Sequence, residues 1–201
     1  TGDEPINDII EEYAADDTLL SFPEGRYLLT PITLSEYSAF GIAGQGDGRP
    51  TFVAEAGTCV DGGSSYVHFK DMAEFLLHGV TFDFTASSTG GVVRITATGD
   101  ATVSDIRAPG ACAAQVALFR LDVTDPSSTA VVDALEIENE STDSWLTGIY
   151  VGKQHAGDLV FRNCTVEGFT DNGLYASAPG LADGAGGIVH VEGGTYRNNN
   201  V

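Results

Sequence analysis

Short β-type segments recur along this chain at a nearly fixed interval, and that recurrence restricts its possible folds more than any other feature. "LHGVTF" (77–82), "VSDIRA" (103–108), "DALEIE" (133–138), "FRNCTV" (161–166) and "VEGGTY" (191–196) share one form: an apolar residue, a polar one, a small or turn residue, then another short β segment. Leu77 to Val103 spans 26 residues and Phe161 to Val191 spans 30. A second series lies between them: "GVVRI" (91–95), "QVALFRL" (115–121), "TGIYV" (147–151) and "NGLYAS" (172–177). Two or more short strands per unit, a spacing in the high twenties and no intervening helix predict a β-solenoid. A β-sandwich is the alternative, since it also strings short strands between polar turns. It is not expected to repeat similar corners at such a regular interval.

The stretch "LLSFPEGRYLL" (19–29) shows how a solenoid turns. Thr18 to Phe22 enters as a strand, Pro23-Glu24-Gly25 bends the chain, and Arg26 to Leu29 leaves on the next face. Pro23 fixes φ and Gly25 tolerates φ > 0, as a tight corner requires. The one credible helix precedes this corner. In "DEPINDIIEEYAADD", Asp3 is placed as the N-cap and Pro5 falls in the first turn. Ile6, Ile9, Ile10 and Tyr13 then form one apolar stripe at i, i+3, i+4, i+7. The first coil of a solenoid exposes unpaired backbone and apolar stacking surface, and this stripe is suited to cover it. The expected organisation is one all-β domain over 1–201, with a capping helix over 1–17 and coils over 18–201. The chain stops at "RNNNV", part-way through a coil in this register, so a truncated C-terminus is expected. Asn198 to Asn200 is placed to begin an asparagine ladder.

Charge narrows the partners. Twenty-nine Asp and Glu face nine Lys and Arg, for a net charge of −20. Such a surface repels DNA, RNA and anionic lipid, so nucleic acid is not an expected partner. No stretch approaches the roughly 18 apolar residues that membrane insertion needs. Self-repulsion weakens a compact state unless ions screen it, and at molar salt the Debye length falls to about 3 Å. Many carboxylates, only two lysines (Lys70 and Lys153) and ordinary core hydrophobicity point to a protein built for very salty water. An acidic, cation-binding protein of ordinary salinity is the alternative. The chain opens at Thr1 without methionine, and removal of an upstream segment is expected. Cys59, Cys112 and Cys164 have no metal-type spacing, and an odd number cannot all pair internally. Alternation in "VFRNCTVEG" turns Cys164 inward. Asn139-Glu-Ser and Asn163-Cys-Thr fit the glycosylation triplet.

The order of segments carries a resemblance. An amphipathic helix, then "FPEGRYLL", "FGIAGQGDGRPTFV", and coils with "DNGLYAS" and "VEGGTYRNNN", resembles the right-handed parallel β-helix proteins of the pectate-lyase-like superfamily. More narrowly it is similar to poorly characterised β-helix-repeat proteins of salt-loving archaea. The resemblance covers essentially the whole chain and implies a right-handed parallel β-helix. It implies little about activity, because the architecture hosts lyases, glycoside hydrolases, esterases, epimerases, tail spikes and adhesins.

Candidate chemistry is sparse. "GQGDG" from Gly44 misplaces the third glycine of a nucleotide loop, and "RPTFV" follows where a phosphate-binding helix N-terminus is needed. It reads as a turn between strands. The superfamily's hydrolase motifs Asn-Thr-Asp, Asp-Asp and Gly-His-Gly are absent, and "RAPGAC" (107–112) keeps only the Arg and Pro of the lyase's Arg-x-Pro-x-x-Arg. His68, His78 and His190 have no i, i+2 or i, i+4 companion, so no metal site is expected. No cofactor is expected either, although the surface carboxylates are able to take calcium or other cations.

One face stands out. In "TGIYV" and "NGLYAS", Ile149, Val151, Leu174 and Ala176 alternate inward, which sends Tyr150 and Tyr175 outward on neighbouring coils. Such a pair is expected to offer a flat apolar surface with hydroxyls, suited to the C–H faces of a sugar. Trp145, Gln154 and Asn172 are expected to add substrate contacts from the flanking loops. His155 or Lys153 is placed as a base, with Asp171 as its partner. The structural alternative is that stacked like residues stabilise the coils and "DNG" is an ordinary tight turn. Arg94 and Arg120 fall on the same face one or two coils earlier, where internal salt bridges are the expectation.

Two functions follow. The first is an exported, extracellular or cell-surface β-helix that binds or processes a polysaccharide, acting as a lyase or glycosidase if catalytic. The second is a non-catalytic adhesin or spike-like surface protein, for which an oligomer is allowed.

Overall fold

The computed structural model describes residues 4–59, 64–110, 116–139 and 146–198. Trp145, Cys112, Asp3, Asn199 and Asn200 lie outside these residues. The fold is all-β apart from a short N-terminal helix and a 3₁₀ turn at Ala178–Gly180, and among the described residues its strands pair only in parallel, winding a β-solenoid. Each coil contributes strands in the same order. β1 (Thr18–Phe22), β2 (Gly25–Leu29) and β3 (Ile32–Ser35) form the first, and β4 (Phe40–Gly44), β5 (Pro50–Ala54) and β6 (Ser65–Met72) the second. β7 (Phe75–His78), β8 (Thr81–Asp83) and β9 (Val92–Ala97) follow. β10 (Ala101–Pro109) with β11 (Ala117–Val123), and β12 (Thr129–Glu138) with β13 (Thr147–Tyr150), make the next two. β14 (Asp158–Arg162), β15 (Thr165–Phe169) and β16 (Leu174–Tyr175) precede the last strands, β17 (Ile188–Glu192) and β18 (Thr195–Asn198).

The last strand of each of the first six coils joins a six-stranded sheet ordered β16-β13-β11-β9-β6-β3. The others form a twelve-stranded sheet that is bent through the corner of each coil. β10 and β12 run through that corner unbroken: β10 pairs with β7 over 101–104 and with β8 at Arg107. The bend turns on a residue of positive φ, stacked coil on coil: Gly79 (φ 64°), Asp105 (54°), Ala134 (54°), Asn163 (50°) and Gly193 (75°), the last followed by Gly194 (92°). One such residue reverses the pleat locally, so apolar positions on both sides of it face the interior.

The interior register runs Leu77, Val103, Val132, Phe161, Val191, at steps of 26, 29, 29 and 30 residues. Two sequence expectations shift accordingly. The repeat read as "DALEIE" from Asp133 begins one residue earlier, at Val132, because its corner residue is Ala134 and alanine carries no turn signature. The Pro23-Glu24-Gly25 corner separates β1 from β2 as expected, but Gly25 does not enter the left-handed region. It is the first residue of β2, with Tyr27 packed where a Cβ would point, and the Tyr27 hydroxyl donates to the Pro23 carbonyl at 3.0 Å.

Side chains within the solenoid stack by type. Phe22, Phe52 and Phe82 form a ladder with centroids 5.1 and 5.6 Å apart, and Phe69 meets Phe75 at 4.7 Å. Tyr66 is buried with its hydroxyl donating to the Leu29 carbonyl at 2.7 Å, so the polar tip costs little. Cys164 is a buried free thiol, as alternation predicted; Cys59 is disulfide-bonded.

The first coil is closed by α1 (Asn7–Tyr13). The helix begins later than expected: Ile6 holds the N-cap position and no side chain caps it. Docking comes from Asn7, whose Nδ2 donates to the Thr30 carbonyl while its Oδ1 accepts from the Thr30 N–H, both at 3.0 Å. Ile10 enters the core beside Leu29, Leu34 and Phe52, and its burial contributes about 2 kcal/mol. Ile6 and Ala14 pack beside it, whereas Ile9 and Tyr13 are exposed. The covering stripe is thus i, i+4, i+8 and narrower than the sequence pattern implied.

Candidate functional site

The outward face of the six-stranded sheet carries one side chain per coil in continuous register: Thr33, His68, Arg94, Arg120, Tyr150 and Tyr175. Parallel strands about 4.8 Å apart set the spacing of this row. Alternation produces it, since Ile95, Phe119, Leu121 and Ile149 beside these residues are all buried.

Tyr150 and Tyr175 lie side by side as expected, but they do not form the expected flat surface. Their rings stack face to face, with centroids 5.4 Å apart and planes within 1°. The Arg120 guanidinium covers the other face of Tyr150, 5.2 Å from the ring centroid, contributing about 1 kcal/mol as a cation–π contact. Ring edges and hydroxyls therefore face outward.

Arg120 is aimed by a buried carboxylate. Asp122 is fully enclosed and accepts from Arg120 Nε at 2.7 Å, from the Gly152 N–H at 2.5 Å and from Gln154 Nε2 at 3.1 Å. The backbone turn after β13 approaches so closely that a Cβ on Gly152 would sit 2.2 Å from Arg120 Nη2. Arg120, Tyr150, Lys153, Gln154, Asp183 and Gly184 line a shallow recess of about 490 Å³. A larger open groove of about 880 Å³ lies on the twelve-stranded sheet, but Asp17, Glu74 and Asp100 are its charged lining and no cationic or aromatic donor row faces it.

The remaining predicted residues divide. Gln154 and Lys153 flank the recess, and Lys153 Nζ is 2.7 Å from Asp183. That hydrogen bond raises the ammonium's pKa, the reverse of what a catalytic base requires. His155 is not in the groove. It is buried, its Nδ1 accepting from the Val123 N–H and its Nε2 facing the Ile188 carbonyl, each at 3.1 Å. Both nitrogens brace neighbouring coils, which leaves none for proton transfer. Asp171 lies at the opposite end of the β13–β16 pair, accepting from Thr147 Oγ1 at 3.0 Å. Four residues of strand separate Thr147 from Val151, on the order of 13 Å, so Asp171 does not partner Lys153. The Asn172 carbonyl accepts from the Gly148 N–H at that same far end.

Arg94 is the residue the sequence undervalued. Eight of the nine Lys and Arg make an ion pair: Arg26, Arg49, Lys70, Arg107, Arg120, Lys153, Arg162 and Arg197. Among the described residues Arg94 alone makes none, and its buried Nε has no hydrogen-bond partner. Burial, then the Arg120 charge beside it, lowers its pKa. On its other side His68 is held neutral: burial first and Arg94 second lower its pKa to about 4, and its Nε2 lies 3.3 Å from Thr96 Oγ1.

Asn139 of the first glycosylation triplet is buried against the Gly168 carbonyl, which closes it to modification in the folded chain. Asn198 donates to the Asp171 carbonyl at 2.8 Å, bracing the coil beneath it. Among the described residues no group of three or more His, Cys, Asp or Glu is arranged to hold a metal, and no helix is long and apolar enough to cross a membrane. No family model, curated protein or solved structure matches the chain at a significant level.

Proposed function

We propose that this chain is an exported, salt-adapted β-helix of the pectate-lyase-like type, akin to β-helix-repeat proteins of salt-loving archaea, and that it binds a polysaccharide without turning it over. The row Arg94, Arg120, Tyr150, Tyr175 carries this reading. It sets guanidinium groups, ring edges and phenolic hydroxyls in a line along the solenoid axis, the arrangement a linear chain of sugar rings needs for a repeated contact. Gln154 and Lys153 widen it with further donors. Binding without turnover is favoured because His155 is enclosed and Lys153 is held charged by Asp183. The bonded state of Cys59 supports an oxidising compartment, and hence export.

Glycan-array binding at molar NaCl tests the reading. Tyr150→Ala and Tyr175→Ala are each expected to weaken binding about tenfold, from lost stacking and hydroxyl contacts. Equal binding by wild type and both variants removes the row as the binding surface.

A further inference from the structure

Arg94 presents a contradiction that the surrounding chemistry must resolve. The chain holds 29 carboxylates against nine cations, so a free carboxylate is available almost anywhere on its surface. Yet among the described residues the partly buried Arg94 has none in contact. Asp122 and Asp71 act on it only at a distance, and the in-register neighbour on one side is another guanidinium. Asp122 turns its oxygens to Arg120, Gly152 and Gln154. On the other side His68 carries no charge at neutral pH. A cation kept partly desolvated, beside a like charge, with a buried donor unfilled, is held at a cost unless an anion arrives. The Arg94 guanidinium retains terminal N–H groups in a planar fork, which matches two oxygens of one oxyanion.

We propose that Arg94, flanked in register by Arg120 and His68 and with its buried Nε unfilled, is an anion-binding site that takes a single carboxylate or sulfate group. The source is either the acidic group of a polymer lying on the tyrosine row or a free oxyanion; only the first rests on the function proposed above. A polymer source makes the recognised glycan an acidic one, its charged substituent on Arg94 and its neighbouring sugars against Tyr150 and Tyr175.

The test uses the whole chain at two salt concentrations. Calorimetric titration compares an oligouronate, a sulfated oligosaccharide and a neutral oligosaccharide of equal length. Thermal unfolding at constant ionic strength compares sodium sulfate with sodium chloride. The same measurements are made on Arg94→Gln and on Arg94→Lys, which keeps the charge and loses the fork. Circular dichroism establishes that each variant is folded. Preference of the wild type for an acidic oligosaccharide by about tenfold, lost in Arg94→Gln and only partly retained in Arg94→Lys, supports the site with the polymer as source. A sulfate-dependent rise in the unfolding temperature that Arg94→Gln abolishes, with no oligosaccharide bound, supports the site with a free anion and sinks the polysaccharide reading. Equal binding of neutral and acidic oligosaccharides, with Arg94→Gln matching wild type throughout, overturns the anion site and leaves the polysaccharide reading standing. No response to any probe, or the same response in wild type and Arg94→Gln, overturns it as well.

Discussion

At the corner of the fifth coil, Ala134 holds φ at 54°, where its counterparts on other coils are Gly, Asp or Asn. Left-handed backbone crowds an alanine Cβ against its own carbonyl, whereas glycine has no such clash. Ala134→Gly is therefore expected to stabilise the protein by about 1 kcal/mol, read as a higher denaturant midpoint at unchanged slope. A lower midpoint refutes the assignment of strain. His68 gives a second residue-scale expectation. Its folded pKa, near 4, lies below the usual histidine value of 6.5 because burial and the Arg94 charge oppose protonation. A base with a depressed folded pKa lets the unfolded chain take up the proton first. Stability therefore falls as pH drops from about 6.5 to 4 and levels off below, with a loss of about 2 kcal/mol after allowing for partial solvent screening. Unfolding curves across that window should flatten in His68→Gln. The same slope in wild type and variant places the titration elsewhere.

Between residue and molecule, the turn after β13 sets the candidate site. Gly152 lets backbone pass within reach of Asp122, and Asp122 fixes Arg120 over Tyr150. Gly152→Ala forces a Cβ into Arg120 Nη2, displacing the guanidinium and leaving a buried carboxylate short of a donor. The expected cost is about 2 kcal/mol of stability, together with weaker glycan binding. Unchanged unfolding and binding would show that the turn relaxes freely. At this scale the sequence is most informative where periodicity decides. Strict alternation in "TGIYV" and "NGLYAS" fixes which side chains face out, and the register of Arg94, Arg120, Tyr150 and Tyr175 is legible from it. Loops lack that constraint. His155 follows a turn and reads as exposed, yet the chain folds it inward to join Val123 and Ile188. The pairing of Lys153 with Asp183 spans 30 residues and depends on how two loops meet, which no local pattern encodes. Ala134 hid the true corner because the left-handed bend there is imposed by stacking on Asp105 and Asn163, not by its own preference.

Across the whole molecule, charge opposes compaction. The net charge of −20 already counts every cation, and the eight ion pairs among the described residues, most of them at the surface where each is worth little, leave that excess unbalanced. Raising NaCl from 0.1 to 2 M shrinks the Debye length from about 10 Å to a few ångströms. The unfolding temperature is expected to climb by several degrees over that range in a calorimetric scan; a flat or falling response argues against salt adaptation. Winding has a further consequence. Two successive steps of the interior register, Val103 to Val132 and Val132 to Phe161, are each 29 residues long. A segment that returns the chain to the same bend, with the same side inward, is a module. Duplicating or deleting one lengthens or shortens the protein by one coil while leaving the stacking of the coils above it intact. Each insertion also adds one outward side chain beside Tyr150, so the length of the outward row is open to adjustment by copying DNA, with no new contact to invent.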